Sequence, residues 1–528
     1  MLVAALTDVG VRPQAPPAAT PSRRGRILTA PHVAAAFVLA NVVLICASRV
    51  PHQNEYVYLL RLKALADPSF LRGDWTYEGP FREHLVFNTL FAPFTRVMSI
   101  ELLGWAGRVS CWVGLTLLLL ALARRVGARP WPAAIALVAW LACQSALVGG
   151  DWVFGTFEAK PIAYVLLFSA ILFAFRNATV PALAAAGLAF AFHPGVGVWS
   201  VPAFVVVLLF DPVIGREARR WWWVAALTAL PGVWGVVSGL GDTAAPREVW
   251  SFVTDRALAF HLDPLYFGVG PLAALLLMFV YNVWYCRRES GTRELQLLGR
   301  FQVLLAPPMF AGLALYVLGA DEHLKYFPFR VFPVITTLLF AFLVARDWPW
   351  RGVLAAVRRE PRTRVLYGIA LLALALTVVS VNPLKEYAYT ARANYRDWTH
   401  TDTSLQRTFR WISRSTPPTA VVVMPPSAPD SFYLAERPQI ANLKALSFEN
   451  VAEWRDRIVT LLGPTASTGA MEPDDPALEA GYDRLPVATI DELRRRYGAE
   501  YLVSRGRYPF PVVHREGSYA VYELSGGS

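Results

Sequence analysis

The chain has 528 residues, of which 55% are hydrophobic and only 17% are Asp, Glu, Lys or Arg. Water-soluble domains carry about 25% charge, and their apolar residues do not fall in blocks this long, so an ordinary soluble enzyme is excluded. The formal charge of +11 would suit a nucleic-acid partner, but the arginines sit between apolar blocks, where they mark membrane topology, and no nucleic acid is expected.

Residues 1–28 read as a disordered cytoplasmic lead-in ending in Ser22-Arg23-Arg24-Gly25-Arg26. The first apolar stretch is followed by Cys46-Ala47-Ser48-Arg49 and lacks an Ala-x-Ala cleavage pattern, so a retained anchor is expected. A crossing needs about 20 apolar residues with every backbone amide satisfied internally. Segments near 30–49, 107–123, 130–148, 161–175, 178–193, 196–210, 221–240, 265–285, 301–319, 331–345 and 365–382 fit, which makes about eleven crossings within a transmembrane domain spanning 29–382. With the N-terminus inside, every inside loop is basic, from Arg124, Arg125 and Arg129 to Arg358, Arg359, Arg362 and Arg364. Residues 85–103, interrupted or bounded by Arg96, Glu101 and Arg108, are expected to lie along the outer interface within a long first outer loop, 51–106. Cys46, Cys111, Cys143 and Cys286 all lie in or beside apolar blocks, so no extracytoplasmic disulfide framework is expected.

From residue 383 to 528 the composition becomes that of a soluble module, which an odd number of crossings puts outside the cell. Strands are expected at Ala420–Met424, Glu500–Ser504 and Tyr519–Leu524, and a helix from Trp454 to Leu462. Thr489-Ile490-Asp491-Glu492 reads as a capping box opening a helix that stops at Gly498. The expected whole is a polytopic α-helical protein of the plasma membrane with a C-terminal extracytoplasmic α/β domain suited to recognition or packing.

Four segments at the outer boundary hold ionisable groups that are costly there unless they bind or pair. Glu55 opens an interfacial helix directly after the first crossing, either complementing the helix dipole or acting as a base. Asp151, Glu158 and Lys160 share a short loop with Trp152, Phe154 and Phe157, either pairing with each other or binding a polar head group. His193-Pro194-Gly195 breaks two apolar spans, as where backbone lines a cavity. Lys325 and Arg330 come after Asp321-Glu322-His323 and either hold a phosphate or snorkel. No His-x-x-x-His or Cys-x-x-Cys spacing supports zinc, so no metal site is assigned.

With Glu55 just after the first span and Asp151 after the third, the arrangement resembles the GT-C membrane glycosyltransferases, in a branch that includes bacterial multipass proteins of unassigned activity. That resemblance implies transfer of a sugar from a polyprenyl-phosphate donor to an acceptor at the outer face, with membrane lipid and the lipid-linked donor as partners. It makes Glu55 or Asp151 the base, gives Lys160, Lys325 or Arg330 the leaving phosphate, lets Tyr56, Trp75 and Trp152 stack on sugars, and requires no cofactor or metal. The family usually places Asp where Glu55 stands. A transporter or flippase for a polar or lipid-linked solute, or a non-catalytic scaffold, would use the same outer groups differently, although no internal repeat is visible.

Overall fold

The computed structural model describes residues 31–78, 84–144, 146–238, 245–288, 292–348, 361–399, 401–446, 448–467, 469–471 and 475–524. The lead-in, Arg82, Glu83, Arg358 and Arg359 lie outside them. Eleven apolar helices correspond one for one to the expected segments: α1 Pro31–Cys46, α4 Ile100–Arg125, α5 Pro130–Ala142, α6 Ala159–Phe175, α7 Thr179–Phe192, α8 Pro194–Leu209, α10 Trp223–Ser238, α11 Val269–Arg288, α12 Arg293–Leu318, α13 Val331–Arg346 and α14 Pro361–Val381. Between these run α2 Glu55–Ala66, α3 Leu85–Phe91 and α9 Gly215–Trp221. Among the described residues, α4, α11, α12 and α14 are long and apolar enough to cross a membrane, and α9 with α10, bent by 51°, could form one more such span. The other six are shorter apolar helices.

Residues 85–103 do not form one interfacial helix. His84 and the residues after it give α3 and a 3-10 turn over Ala92–Arg96, and α4 starts at Ile100 because the Ser99 hydroxyl accepts the Leu102 amide 3.2 Å away. Arg108 therefore lies inside a helix rather than at the edge of one.

After Asn382, helix α15 (Pro383–Thr399) runs beside α1 in the same direction. Tyr387 donates to Asn41 Oδ1 at 2.6 Å, Asn394 to the Leu44 carbonyl at 3.4 Å and the Trp398 indole to the Ala47 carbonyl at 2.5 Å. Beyond α15 lies a unit with a four-stranded sheet, order β1-β2-β4-β3, made of Val421–Val423, Ala499–Ser504, Val512–Glu516 and Tyr519–Glu523 for β1 to β4. β1 and β2 are parallel and the other pairs antiparallel. Helices α16 (Ser404–Ser415), α17 (Val451–Leu462) and α18 (Val487–Tyr497) pack around it. The expected capping box at Thr489 is absent. Pro486 is already extended and accepts the Thr489 amide at 3.0 Å, so α18 starts three residues earlier than that box implies, at Val487, and ends at Gly498 with φ +67°. Thr403 and Gln406 form a capping box instead, on α16.

The sheet unit sits on the first loop. Asp74 Oδ2 accepts the Gln439 amide at 3.0 Å, the Trp75 indole donates to the Ile440 carbonyl at 2.8 Å, and Lys63 pairs with Glu436 at 2.7 Å. Tyr433 donates to Glu101 near the start of α4. Arg124 and Arg125 lie at the far end of α4, the end where Arg293 pairs with Asp211 at 3.0 Å and bonds Asn177 at 2.7 Å, and where Tyr285 and Tyr367 both donate to Asp347. One end of the helical bundle thus carries the sheet unit and the other the arginines.

Candidate functional site

Glu55 opens α2, as its place in the sequence suggests, but it is sealed. Arg108 from α4 meets it with two bonds, Nε to Oε1 at 2.7 Å and Nη2 to Oε2 at 2.6 Å, and both side chains are wholly buried. The Phe157 amide donates to Oε1 at 2.6 Å and the His52 amide to Oε2 at 3.0 Å. A carboxylate has about four lone-pair directions, and these four donors occupy them. Glu55 has no exposed surface and is not among the residues that line the cavity described below, although its neighbour Asn54 is. Its work is to neutralise Arg108 and tie α2, α4 and the loop before α6 together.

Asp151 is also fully buried. Tyr164 of α6 donates to its Oδ2, while Lys160 Nζ and Arg330 Nε lie 3.4 and 3.3 Å from Oδ1. These last two are ion-pair contacts without hydrogen-bond alignment, since Oδ1 and Nε have no hydrogen-bond partner among the described residues. Glu158 is the N-cap residue of α6 but does not cap it. Its Oε2 accepts from Asn54 Nδ2 at 2.9 Å and its Oε1 lies 3.4 Å from Lys160. A carboxylate there is favoured by the positive end of the helix dipole. The loop is pinned because Gly149, at φ +76°, has no room for a side chain: a Cβ would stand 2.6 Å from the Phe329 carbonyl.

Glu158, Lys160, His193, Lys325 and Arg330 all line one cavity of about 280 Å³ at the end that bears the sheet unit. The sheet unit contributes Lys444, Phe448 and Glu449 to it. Apolar lining comes from Val198, Val236, Leu258, Phe260 and Phe327. His193 closes α7 and caps α8, its Nδ1 accepting the Val196 amide at 3.1 Å, and the Arg330 guanidinium lies against Gly195. The positive end of α8 and a buried guanidinium therefore face the same space.

Two further histidines line it. His84 Nδ1 lies 3.3 Å from the Phe192 carbonyl, which can only accept, so the proton sits on Nδ1 and Nε2 accepts from Tyr58 Oη at 2.8 Å. Burial pushes its imidazole down to about 3, reinforced by Arg61 and Arg330. His261 likewise donates Nδ1–H to the Gly149 carbonyl at 2.7 Å, and burial drives it well below the usual histidine range. Burial thus favours the neutral form of both rings. Lys160, Lys325, Arg330 and Lys444 line the cavity with two carboxylates, Glu158 and Glu449, and buried Asp151, which does not line it, pairs with Lys160 and Arg330 from behind; counted together, these seven groups leave one positive charge in excess.

Three expected sugar platforms lie elsewhere. Trp75 is spent on docking: besides its bond to Ile440 it carries the Arg457 guanidinium 4.2 Å above its ring. Tyr56 and Trp152 line a neighbouring cavity of about 970 Å³ that shares Lys444 and Phe260 with the first. Asn54, Tyr58, His84, His261, Tyr164 and Lys444 join the site without having been expected there, as does Arg108 beside it. Asn54 adjoins Glu55 and Arg108 interrupts an apolar run, both visible signals, whereas the others are brought in only by tertiary packing.

Residues 403–461 match a family model described as a domain of unknown function, DUF6798. No curated protein matches. Among solved structures, ArnT from Cupriavidus metallidurans bound to undecaprenyl phosphate is similar at 14% identity and a TM-score of 0.49, covering 95% of this chain and 98% of that one. The Archaeoglobus fulgidus oligosaccharyltransferase, tethered to an acceptor peptide, is similar at 12% identity and a TM-score of 0.46, covering 91% of this chain and 69% of that one. The same archaeal enzyme, AglB, with an inhibitory peptide and a dolichol-phosphate gives the same values.

Proposed function

We propose that this chain is a membrane glycosyltransferase of the GT-C type, moving a sugar from a polyprenyl-phosphate donor to an acceptor hydroxyl at the extracytoplasmic face, with the arginine-bearing end in the cytosol. The observation that carries the reading is the one-charge cationic excess of the cavity together with the buried Asp151 behind it, which matches the single negative charge of a sugar phosphodiester. Lys160, Arg330 and the amino end of α8 hold the phosphate, and the apolar wall takes the first isoprene units. Asp151 acts through Lys160 and Arg330, fixing their positions, rather than meeting substrate. Glu158, the cavity-lining carboxylate beside Lys160, takes the acceptor proton as the acceptor oxygen bonds to the anomeric carbon. The bond from that carbon to the phosphate oxygen breaks, and the phosphate leaves with the electron pair.

The test is release of polyprenyl phosphate from polyprenyl-phosphate hexoses and pentoses by the chain in lipid nanodiscs, with water standing in for the acceptor and taking the sugar at its anomeric carbon. Wild-type protein releases it with at least one sugar, and Glu158→Gln slows release by about 10²- to 10⁴-fold. Unchanged release in Glu158→Gln, or no release and no binding of any donor by the wild type, would remove the proposal.

A further inference from the structure

At the end opposite the cavity, the last turn of α8 and the facing ends of α11 and α12 enclose a groove of about 510 Å³. Its walls are apolar, with Val206, Val283, Val303 and Leu304 along it, and Gly299 and Cys286 in close contact at its floor, where a Cβ on Gly299 would stand 3.0 Å from that of Cys286. Val206, Val303 and Leu304 are partly open to the surroundings. Arg287 and Arg300 also line it. Other arginines of this end are engaged within the protein: Arg293 with Asp211, Arg288 with Thr363 at 2.6 Å, Arg219 with the Leu209 carbonyl at 2.6 Å. Among the described residues neither Arg287 nor Arg300 is ion-paired with a carboxylate, and Arg300 makes a long 3.4 Å bond to the Phe210 carbonyl.

Two such arginines on a groove whose remaining lining is mainly apolar complement an amphiphile with an anionic head and a hydrocarbon tail. Snorkelling alone would explain their position at the membrane boundary, but not their convergence on one concavity. We infer that this groove is a binding site for an anionic glycerophospholipid of the leaflet at the arginine-bearing end, its phosphate on Arg287 and Arg300 and an acyl chain along Val206, Val283 and Val303. The site is independent of the transferase reading, since it lies at the other end of the bundle and uses none of the cavity's residues.

Native mass spectrometry of the full chain in detergent, with phosphatidylglycerol or phosphatidylcholine of identical acyl chains, tests it. Wild-type protein retains one phosphatidylglycerol in preference to phosphatidylcholine. Each of Arg287→Gln and Arg300→Gln weakens that retention about fivefold. Val303→Trp, which fills the groove and leaves both arginines, abolishes it. Monodisperse elution and an unaltered Tm show that the variants are folded. Equal retention of the two lipids by the wild type, a preference that survives in the Arg287→Gln/Arg300→Gln double variant, or displacement of the phosphatidylglycerol by polyprenyl phosphate would overturn the inference.

Discussion

Replacing Glu55 by Gln is the perturbation that most sharply separates a structural carboxylate from a catalytic one. All four hydrogen bonds to Glu55 come from N–H donors, and Arg108 has no exposed surface. Whichever way the Gln amide is turned, its NH₂ faces either Arg108 Nε and the Phe157 amide or Arg108 Nη2 and the His52 amide, so donor meets donor. Removing one partner of a buried ion pair costs about 3–5 kcal/mol. An unfolding entropy of about 2.1 cal/mol/K per residue, taken over 528 residues, gives about 1 kcal/mol per degree, so Tm falls by about 3–5 °C. The assay is thermal melting in nanodiscs, paired with polyprenyl-phosphate release per folded molecule at a temperature where both proteins are native. The expected results are a lowered Tm, release within a few-fold of wild type, and a Glu55→Gln/Arg108→Met variant less destabilised than the sum of the single changes. A Glu55→Gln protein that melts with the wild type yet has lost release would refute this reasoning and return Glu55 to the role of base.

Gly197→Ala tests the seam between α7 and α8, because a Cβ there would stand 2.2 Å from the Phe190 backbone; a loss of about 1–3 kcal/mol is expected as a lowered Tm. Burial pushes the Asp74 carboxyl up to about 7, so it holds its proton more tightly folded than unfolded. Its stabilising contribution is then complete below about pH 4 and is lost as pH rises through 7, at up to about 1.4 kcal/mol per pH unit. Melting of wild type and Asp74→Asn across that window checks the sign: the wild type loses stability toward neutral pH relative to the variant, which lacks this dependence. Lys160→Met, removing the ammonium shared by Asp151 and Glu158, is expected to weaken polyprenyl-phosphate binding about tenfold or more in equilibrium titration, with the protein still folded.

Much of this architecture is legible in the sequence because hydrocarbon imposes a single rule. The eleven apolar segments stand as apolar helices, of which four, or five with the bent α9–α10 pair, are long and apolar enough to cross a membrane among the described residues, and the arginine clusters of α4, α11 and α12 gather at one end. The cluster of Glu158, Lys160, His193, Lys325 and Arg330 is legible too, since charges at helix starts beside apolar runs have few places to go. The role of Glu55 is not, because its partner, Arg108, lies 53 residues away in a helix whose start depends on Ser99. Nor is that of Trp75, whose use is set by the sheet unit, 365 residues on. Neither periodicity nor composition carries pairings of that range. The β3 strand, with both Val512 and Val513 exposed, lacks the alternation that marks strands, and only its pairing with β4 defines it.

The most direct measurement is a structure of the chain in nanodiscs with a polyprenyl phosphate bound. Phosphate density within hydrogen-bond distance of Lys160 and Arg330, with the first isoprene unit against Phe327 and Val198, is the predicted result. A phosphate seated outside this cavity, with Lys160 and Arg330 still clasping Asp151 undisturbed, would contradict the account at its centre.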